Sequence, residues 1–163
     1  MTDSATPTPP AKPRSALSAL LRFLRLRTHS ESFFNTTGLG RSFRENRPVD
    51  KDGGPLPWLN YGLIRLLDER LDQTLRVFEY GSGFSTLYFA ARALSVTSVE
   101  HVPEWVQELR PYLPDNATLS SVSPGPEYIQ APIGHAPFDI ILIDGLNRVE
   151  CVDASIEALS SAG

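Results

Sequence analysis

The run 76–86 constrains the fold of this chain more than any other part of the sequence. Its first residues, Arg-Val-Phe, are typical of the buried first strand of a parallel sheet, and apolar residues at helical spacing follow over 87–94. Gly81 and Gly83 lie at the bend between them. Because glycine has no Cβ, it adopts positive φ and lets a ligand approach the backbone at the start of a helix. The run therefore predicts an α/β fold with a ligand at this turn.

Two acidic residues accompany the turn. Glu79 precedes it directly, and Glu100 ends the next predicted strand, nineteen residues after Gly81. A carboxylate about 20 residues past a glycine turn, at the tip of the neighbouring strand, commonly binds the ribose diol of a nucleoside cofactor. Glu100 is therefore predicted to bind a ribose.

The charge of Glu79 favours one nucleoside cofactor over another. A dinucleotide would bring its anionic pyrophosphate to this turn, and repulsion from a carboxylate about 4 Å away is about 4 kcal/mol. S-adenosylmethionine carries an ammonium and a sulfonium group instead. The dinucleotide fingerprint also has glycine at its sixth position, where this chain has Thr86. Both observations favour S-adenosylmethionine over NAD.

Three motifs in order, 77–86, 98–101 and 138–145, resemble class I S-adenosylmethionine-dependent methyltransferases. The form Glu-Tyr-Gly-Ser-Gly-Phe-Ser-Thr is most similar to bacterial FkbM-like and small-molecule O-methyltransferases, and the resemblance covers residues 55–163. It implies a Rossmann-like parallel sheet with helices on both faces. By position it also implies cofactor-binding and catalytic residues: Glu79, Gly81, Gly83 and Ser85 at the methionine part with Thr86 at the end of the motif, Glu100 at the ribose, and Asp144 at the methyl-transfer end.

The apolar run 140–143 predicts a strand covered on both faces, and it places Asp144 at the same sheet edge as Glu79 and Glu100. Asp144 is the candidate catalytic residue: it is expected to act as a base, to orient the acceptor, or to bind a divalent ion. No metal site is assigned, because the other metal ligands of catechol-type enzymes would follow the next strand. Arg148 either meets a polar acceptor or lies in a solvated helical turn.

The predicted activity is methyl transfer to a small-molecule or sugar-type acceptor. Two alternatives stay open: a non-catalytic nucleoside-binding protein and, less favoured, a NAD-dependent oxidoreductase. Residues 48–163 contain seven Lys or Arg against sixteen Asp or Glu. Such an acidic domain does not favour nucleic acid, which requires clustered basic residues.

Length and composition predict one globular domain, since the chain has 163 residues and 41% hydrophobic content. The single cysteine, Cys151, forms no internal disulfide, and no apolar stretch approaches the roughly 20 residues of a membrane span. A cytoplasmic location is therefore expected by default.

The N-terminal part is predicted to differ from the domain. Residues 1–14, rich in proline, are expected to be a disordered tail, and 15–27 a basic amphipathic helix. The leucine stripe of that helix packs on the domain or on a second subunit, lies on a membrane surface, or, less favoured, belongs to an organellar targeting peptide. Residues 28–56 are expected to be an irregular connector, and a helix over 57–72 opens the domain 57–163. At the start of this helix, Trp58 and Tyr61 are expected to be packing residues or, less favoured, to overhang the cofactor pocket together with Asn60.

Four strands are predicted where the resembled fold has seven. After a helix from Pro103 come a third strand over 117–122, a loop over 123–137 and a final helix over 149–162. The strand 140–143 would then present an open apolar edge, which invites pairing. The chain is therefore expected to be a fragment or a truncated relative with weak turnover, and to self-associate or to be unstable alone.

Overall fold

The computed structural model describes residues 15–161. The predicted disordered tail 1–14 and the last two residues lie outside the described residues. Eight α-helices, four strands and two 3₁₀ helices follow one another in this part of the chain: α1 Ala16–Thr28, α2 Phe33–Thr36, α3 Leu39–Glu45, α4 Tyr61–Arg70, β1 Arg76–Tyr80, α5 Phe84–Ala90, β2 Ser95–Glu100, α6 Pro103–Leu109, a 3₁₀ helix Arg110–Tyr112, β3 Ala117–Ser121, α7 Pro126–Gln130, a 3₁₀ helix Ile133–His135, β4 Ile140–Ile143 and α8 Cys151–Ala158.

The strands form one parallel sheet in the order β3-β2-β1-β4. Alternate residues of β1 pack on opposite faces of the sheet. Val77 contacts a hydrophobic cluster that includes residues of α4 and α5, whereas Phe78 and Tyr80 contact a cluster that includes residues of α7 and α8. The fold is an α/β Rossmann-like fold with helices on both faces of the sheet and further helices before the first strand. The prediction of fold class is confirmed.

Helix α4 is shorter than predicted. The sequence predicts a helix over 57–72, whereas α4 begins at Tyr61 and ends at Arg70. Its N-cap is Asn60, whose side-chain oxygen accepts a hydrogen bond from the amide of Leu63 at 2.9 Å. An N-cap residue has extended backbone geometry, so this cap excludes the preceding residues from the helix.

The predicted irregular connector 28–56 contains two short helices, α2 and α3, and this part of the prediction is wrong. The buried hydroxyl of Ser42 donates to the carbonyl of Val49 at 2.9 Å and accepts from the amide of Val49 at 3.0 Å. Gly38, at φ 80°, lies so close to Asp50 that a Cβ would be 2.3 Å from the backbone carbon of Asp50. Tertiary contacts rather than an apolar period stabilise these helices.

The predicted loop 123–137 also contains ordered structure, namely α7 and the second 3₁₀ helix. The aromatic ring of Tyr128 anchors α7, because it is completely buried and packs against Tyr80 at a centroid distance of 5.4 Å. The last helix, α8, is shorter than the predicted 149–162 and spans Cys151–Ala158.

Strand β4 pairs with β1 along one edge. On its other side, the amide of Phe138 donates to the carbonyl of Ala158 at 2.9 Å, and the amide of Ser160 donates to Phe138 at 2.7 Å. This short parallel bridge between Phe138 and Leu159 is the contact with the segment after α8. Between residues 15 and 161, no helix has both the length and the apolar character needed to cross a membrane.

Candidate functional site

A cavity of about 450 Å³ opens at the carboxyl ends of β1, β2 and β4. This sheet-edge cavity is where ligands bind in open parallel sheets. It includes five of the seven residues that the sequence predicts: Gly81, Gly83, Ser85, Glu100 and Asp144. The other wall residues are Asn46, Arg47, Pro48, Trp58, Ser82, Phe84, His101, Trp105, Gly145 and Leu146.

The two glycines of the turn serve different purposes. Gly81 has φ 83°, and a Cβ on it would lie 3.0 Å from the Cα of Gly145. Gly81 therefore brings the turn close to the segment after β4. Gly83 has an extended φ of 174°, and no heavy atom lies within 4 Å of where its Cβ would be. This position leaves open space on the cavity side of the turn.

Glu79 and Thr86 do not reach the cavity. Both side chains are completely buried, and the Thr86 hydroxyl donates to Oε2 of Glu79 and accepts from the amide of Gly83. Ser98 also donates to Oε2 at 3.3 Å. These bonds place the Glu79 carboxyl group beneath α5, where it stabilises the glycine turn through Thr86 on the side away from the cavity.

Burial raises the pKa of Glu79 to about 7, while hydrogen bonds from the hydroxyls of Ser85, Thr86 and Ser98 act in the opposite direction. The negative charge of Asp144 raises this pKa further. Its surroundings therefore favour the neutral form of Glu79. The repulsion of a pyrophosphate by a full charge on Glu79, which the sequence predicts, is therefore weaker than expected.

Glu100 ends β2 and is held in one orientation. Its Oε1 accepts from the amides of His101 at 2.7 Å and Val102 at 2.9 Å, and its Oε2 accepts from the amide of Ser82 at 3.1 Å. The side chain is 5% exposed and lines the cavity. Since each carboxylate oxygen offers two lone pairs, Oε2 retains one acceptor site. A ribose hydroxyl is a donor of the kind that this site accepts.

Asp144 lines the cavity from the end of β4. Its Oδ1 lies 2.8 Å from Nη2 of Arg148, and both side chains are partly exposed. Arg148 also donates to the carbonyls of Asp144 at 3.2 Å and Gly145 at 3.2 Å. The sequence left the role of Arg148 open, and the structure pairs it with Asp144.

Sequence reasoning missed several wall residues. The turn after α3 contributes Asn46, which has φ 51°, and Arg47, which pairs with Glu45 at 2.6 Å. Trp105 of α6 donates from its indole nitrogen to the carbonyl of Ser82 at 2.7 Å. Asn46 and Arg47 come from a segment predicted to be irregular, so the sequence carried no signal for them. For Trp105 the available signal was its position in the sequence, five residues after the predicted ribose-binding Glu100.

Of the three residues before and at the start of α4 for which the sequence allowed a place near the cofactor pocket, Trp58 lines the cavity, whereas Asn60 and Tyr61 do not. In the part of the chain that the structure describes, no cluster of three or more His, Cys, Asp or Glu side chains is suited to hold a metal ion.

Comparison with known proteins places the fold. No family model matches the chain, and no curated protein matches it. Among solved structures, a methyltransferase-like protein from Silicibacter pomeroyi is similar at 24% identity and TM-score 0.52, covering 62% of this chain and 66% of the other. The precorrin 8W decarboxylase of Methanobacterium thermoautotrophicum is similar at 20% identity and TM-score 0.54, covering 73% of this chain and 67% of the other.

The 23S rRNA methyltransferase ErmE aligns at 26% identity and TM-score 0.43, covering 61% of this chain and 42% of the other. The chain thus spans about two thirds or less of the length of these proteins. The first two likenesses show the fold. One of these two neighbours is described as a methyltransferase-like protein.

Proposed function

We propose that this chain is a methyltransferase that binds S-adenosylmethionine in the sheet-edge cavity and uses a small-molecule or sugar-type acceptor. One observation carries the proposal: Glu100 is fixed by three backbone amides and retains an acceptor site on the cavity side. The turn at Gly81 and Gly83 and the side chain of Asp144 line the same cavity. Together these features suit a ribose and an amino-acid chain better than they suit a metal ion.

S-adenosylmethionine supplies a methyl carbon bonded to a positively charged sulfur. The protein's contribution is alignment and removal of the acceptor's proton. Glu100 orients the ribose through hydrogen bonds, and the open side of Gly83 leaves room for the methionine part. Asp144 is the residue that we place at the acceptor. Its carboxylate accepts the acceptor's proton once Arg148 leaves Oδ1.

Calorimetric titration of the full chain with S-adenosylhomocysteine and with NAD⁺ tests the cofactor. We expect heat with S-adenosylhomocysteine alone. Glu100→Ala should weaken binding roughly ten- to hundred-fold, because a hydrogen bond to a charged acceptor is worth about 1.5–3 kcal/mol. Glu104→Ala, an exposed acidic position on the next helix, is the matched control and should bind as the unaltered protein does.

Circular dichroism melting of each variant separates loss of binding from loss of fold. If the chain binds NAD⁺ and does not bind S-adenosylhomocysteine, the cavity is assigned to a dinucleotide instead. If neither ligand produces heat, the proposal is rejected.

A second candidate function is non-catalytic binding of the nucleoside. The ion pair of Asp144 with Arg148 favours it, because the guanidinium occupies the carboxylate oxygen that would otherwise contact the acceptor. This candidate predicts that the chain binds S-adenosylhomocysteine. It also predicts that the chain does not convert S-adenosylmethionine to S-adenosylhomocysteine with any of a panel of phenolic, sugar and carboxylic acceptors. Product formation with any of these acceptors excludes this candidate.

A further inference from the structure

Helix α1, Ala16–Thr28, exposes an apolar face that the rest of the described chain does not cover. None of its residues is buried. Four leucines at positions i, i+3, i+4 and i+7 share one face, with exposed fractions of 45–66%: Leu17, Leu20, Leu21 and Leu24. In a soluble protein such a stripe normally packs against the core, so its exposure here indicates a binding surface.

The helix is held at its C-terminal end. The side-chain amide of Asn35 donates to the carbonyls of Arg27 at 3.1 Å and His29 at 2.8 Å. Phe23 and Arg27 line a cavity of about 330 Å³ between α1 and the helices α2 and α3. Phe23 and Arg27 therefore face α2 and α3, whereas the four leucines remain exposed.

The charges around this face have one sign. Helix α1 carries Arg22, Arg25 and Arg27 and no acidic residue. Residues 15–47 contain six arginines against two glutamates, whereas 48–161 contain seven basic residues against sixteen acidic ones. The charge is therefore uneven along the sequence, and the arginines of α1 lie on the same helix as the exposed leucines.

We propose that α1 binds the surface of an anionic lipid bilayer, with its leucines in the interface and its arginines at the headgroups. A helix of 13 residues is about 20 Å long, too short for a hydrocarbon core of about 30 Å, so it lies in the membrane plane. Arginines beside an apolar face reach the headgroups with their charged ends. The acidic remainder of the chain is repelled by the same lipids and faces the aqueous side.

Co-sedimentation of the full chain tests this proposal, using phosphatidylcholine vesicles with and without phosphatidylglycerol. We expect binding to the vesicles that contain phosphatidylglycerol, weakened by added salt. Each arginine near an anionic surface strengthens binding roughly five-fold, so Arg22→Gln with Arg25→Gln should weaken it at least ten-fold. The matched control, Arg65→Gln with Arg70→Gln, changes exposed arginines on α4 and should bind normally.

The leucine face is tested separately. Leu20→Ser with Leu24→Ser should abolish binding, whereas Val152→Ser with Ile156→Ser, the same spacing on the exposed face of α8, should not. Circular dichroism confirms that each variant is folded. Equal binding of both vesicle types would overturn the proposal, as would normal binding by the leucine variant.

Light scattering tests the alternative that a second copy of the chain binds the leucine face. A dimer in solution that Leu20→Ser with Leu24→Ser dissociates would assign this face to a second copy of the chain and overturn the membrane proposal. Binding to S-adenosylhomocysteine is measured independently, so this proposal and the proposed function stand or fall separately.

Discussion

Glu79 is the penultimate residue of β1, but its carboxyl group points beneath α5 and not into the cavity. The sequence located it beside the glycine turn and assigned it to the ligand. In a strand covered on both faces, polarity does not reveal the direction of a side chain, because every position is buried. Alternation did carry a signal: Glu79 shares a face with Val77, which packs against α5 residues.

Glu79→Gln should change the pH dependence of stability. The folded state keeps a proton that the unfolded chain loses, because burial raises the pKa of Glu79 from 4.5 to about 7. The contribution of Glu79 to the free energy of unfolding is therefore lost as pH rises from about 4.5 through about 7, a change of about 3 kcal/mol. The glutamine variant does not titrate and escapes this loss.

Urea unfolding of both proteins at about pH 5 and about pH 8 measures the effect. The variant should gain stability relative to the unaltered protein at the higher pH. Glu108→Gln, at an exposed position, is the control and should follow the unaltered protein. Parallel pH profiles for Glu79→Gln and the unaltered protein would contradict the buried placement of this carboxyl group.

Gly145 lies where the surrounding atoms leave no space for a side chain. A Cβ on it would lie 2.0 Å from the hydroxyl oxygen of Tyr128 and 2.9 Å from the amide nitrogen of Gly81. We expect Gly145→Ala to lower the free energy of unfolding by about 1–3 kcal/mol, as overpacking does. It should also weaken binding of S-adenosylhomocysteine, because the displaced segment carries Asp144.

Tyr128→Phe removes the nearer of these atoms and should restore part of the stability when combined with Gly145→Ala. Denaturant unfolding and calorimetry on the two single variants and the double variant provide the comparison. Strictly additive effects would show that Gly145 and Tyr128 do not interact.

Among the secondary-structure elements, the strands were located correctly from the apolar residues in the sequence. The strands at 76–80, 95–100 and 140–143 are bounded close to their predicted limits. The run 140–143 is continuously apolar, as is typical of buried parallel strands, whereas β2 combines two valines with serine and threonine. The short helices α2, α3 and α7 were missed. Their positions depend on contacts distant in sequence, such as the bonds of Ser42 with Val49, which no local period indicates.

The same distinction applies to the candidate site. Glu100 and Asp144 were located because each ends a strand that the sequence predicts well. The pairing of Asp144 with Arg148 and the entry of Arg47 into the cavity depend on loop geometry. Loop geometry of this kind is not encoded in a short motif.

Asp139 joins three elements at the opposite edge of the sheet. Its Oδ2 accepts from the amide of Arg76 at 2.8 Å and its Oδ1 from the hydroxyl of Ser160 at 2.7 Å. These bonds connect the start of β1, the start of β4 and the segment after α8. The hydrogen bond from the Arg76 amide, with that from Ser160, holds the pKa of Asp139 below its usual range.

Asp139→Asn should lower the free energy of unfolding by about 1–2 kcal/mol at neutral pH, because the amide retains one acceptor oxygen of two. The lowered pKa means that the contribution of Asp139 is present above its ordinary pKa and is lost as pH falls. The difference between variant and unaltered protein should therefore shrink below about pH 4. Urea unfolding across this pH range measures this difference, with the exposed Asp115→Asn as control. A difference in the free energy of unfolding that does not change with pH would contradict the prediction.

The whole molecule combines two parts at one cavity. The sheet contributes the glycine turn and Glu100, while the basic N-terminal part contributes Asn46 and Arg47. Trp58 and Trp105, the two tryptophans of the chain, both line this cavity. Ligand binding is therefore expected to stabilise both parts together.

Intrinsic fluorescence tests this coupling, using Trp105→Phe to isolate Trp58 and Trp58→Phe to isolate Trp105. Trp58 is 66% exposed, so a ligand that covers it should shift its emission to shorter wavelength. Both single-tryptophan variants should respond to S-adenosylhomocysteine. A response from Trp105 alone would show that the segment before α4, which carries Trp58, does not contact the ligand.

A crystal structure of the chain with S-adenosylhomocysteine tests the central claim most directly. The account predicts density in the sheet-edge cavity, with a ribose hydroxyl within hydrogen-bond distance of Oε2 of Glu100 and the amino-acid part beside Gly83. Density for the ligand elsewhere on the molecule, or a dinucleotide bound with its diphosphate against the turn at Gly81 and Gly83, would contradict it.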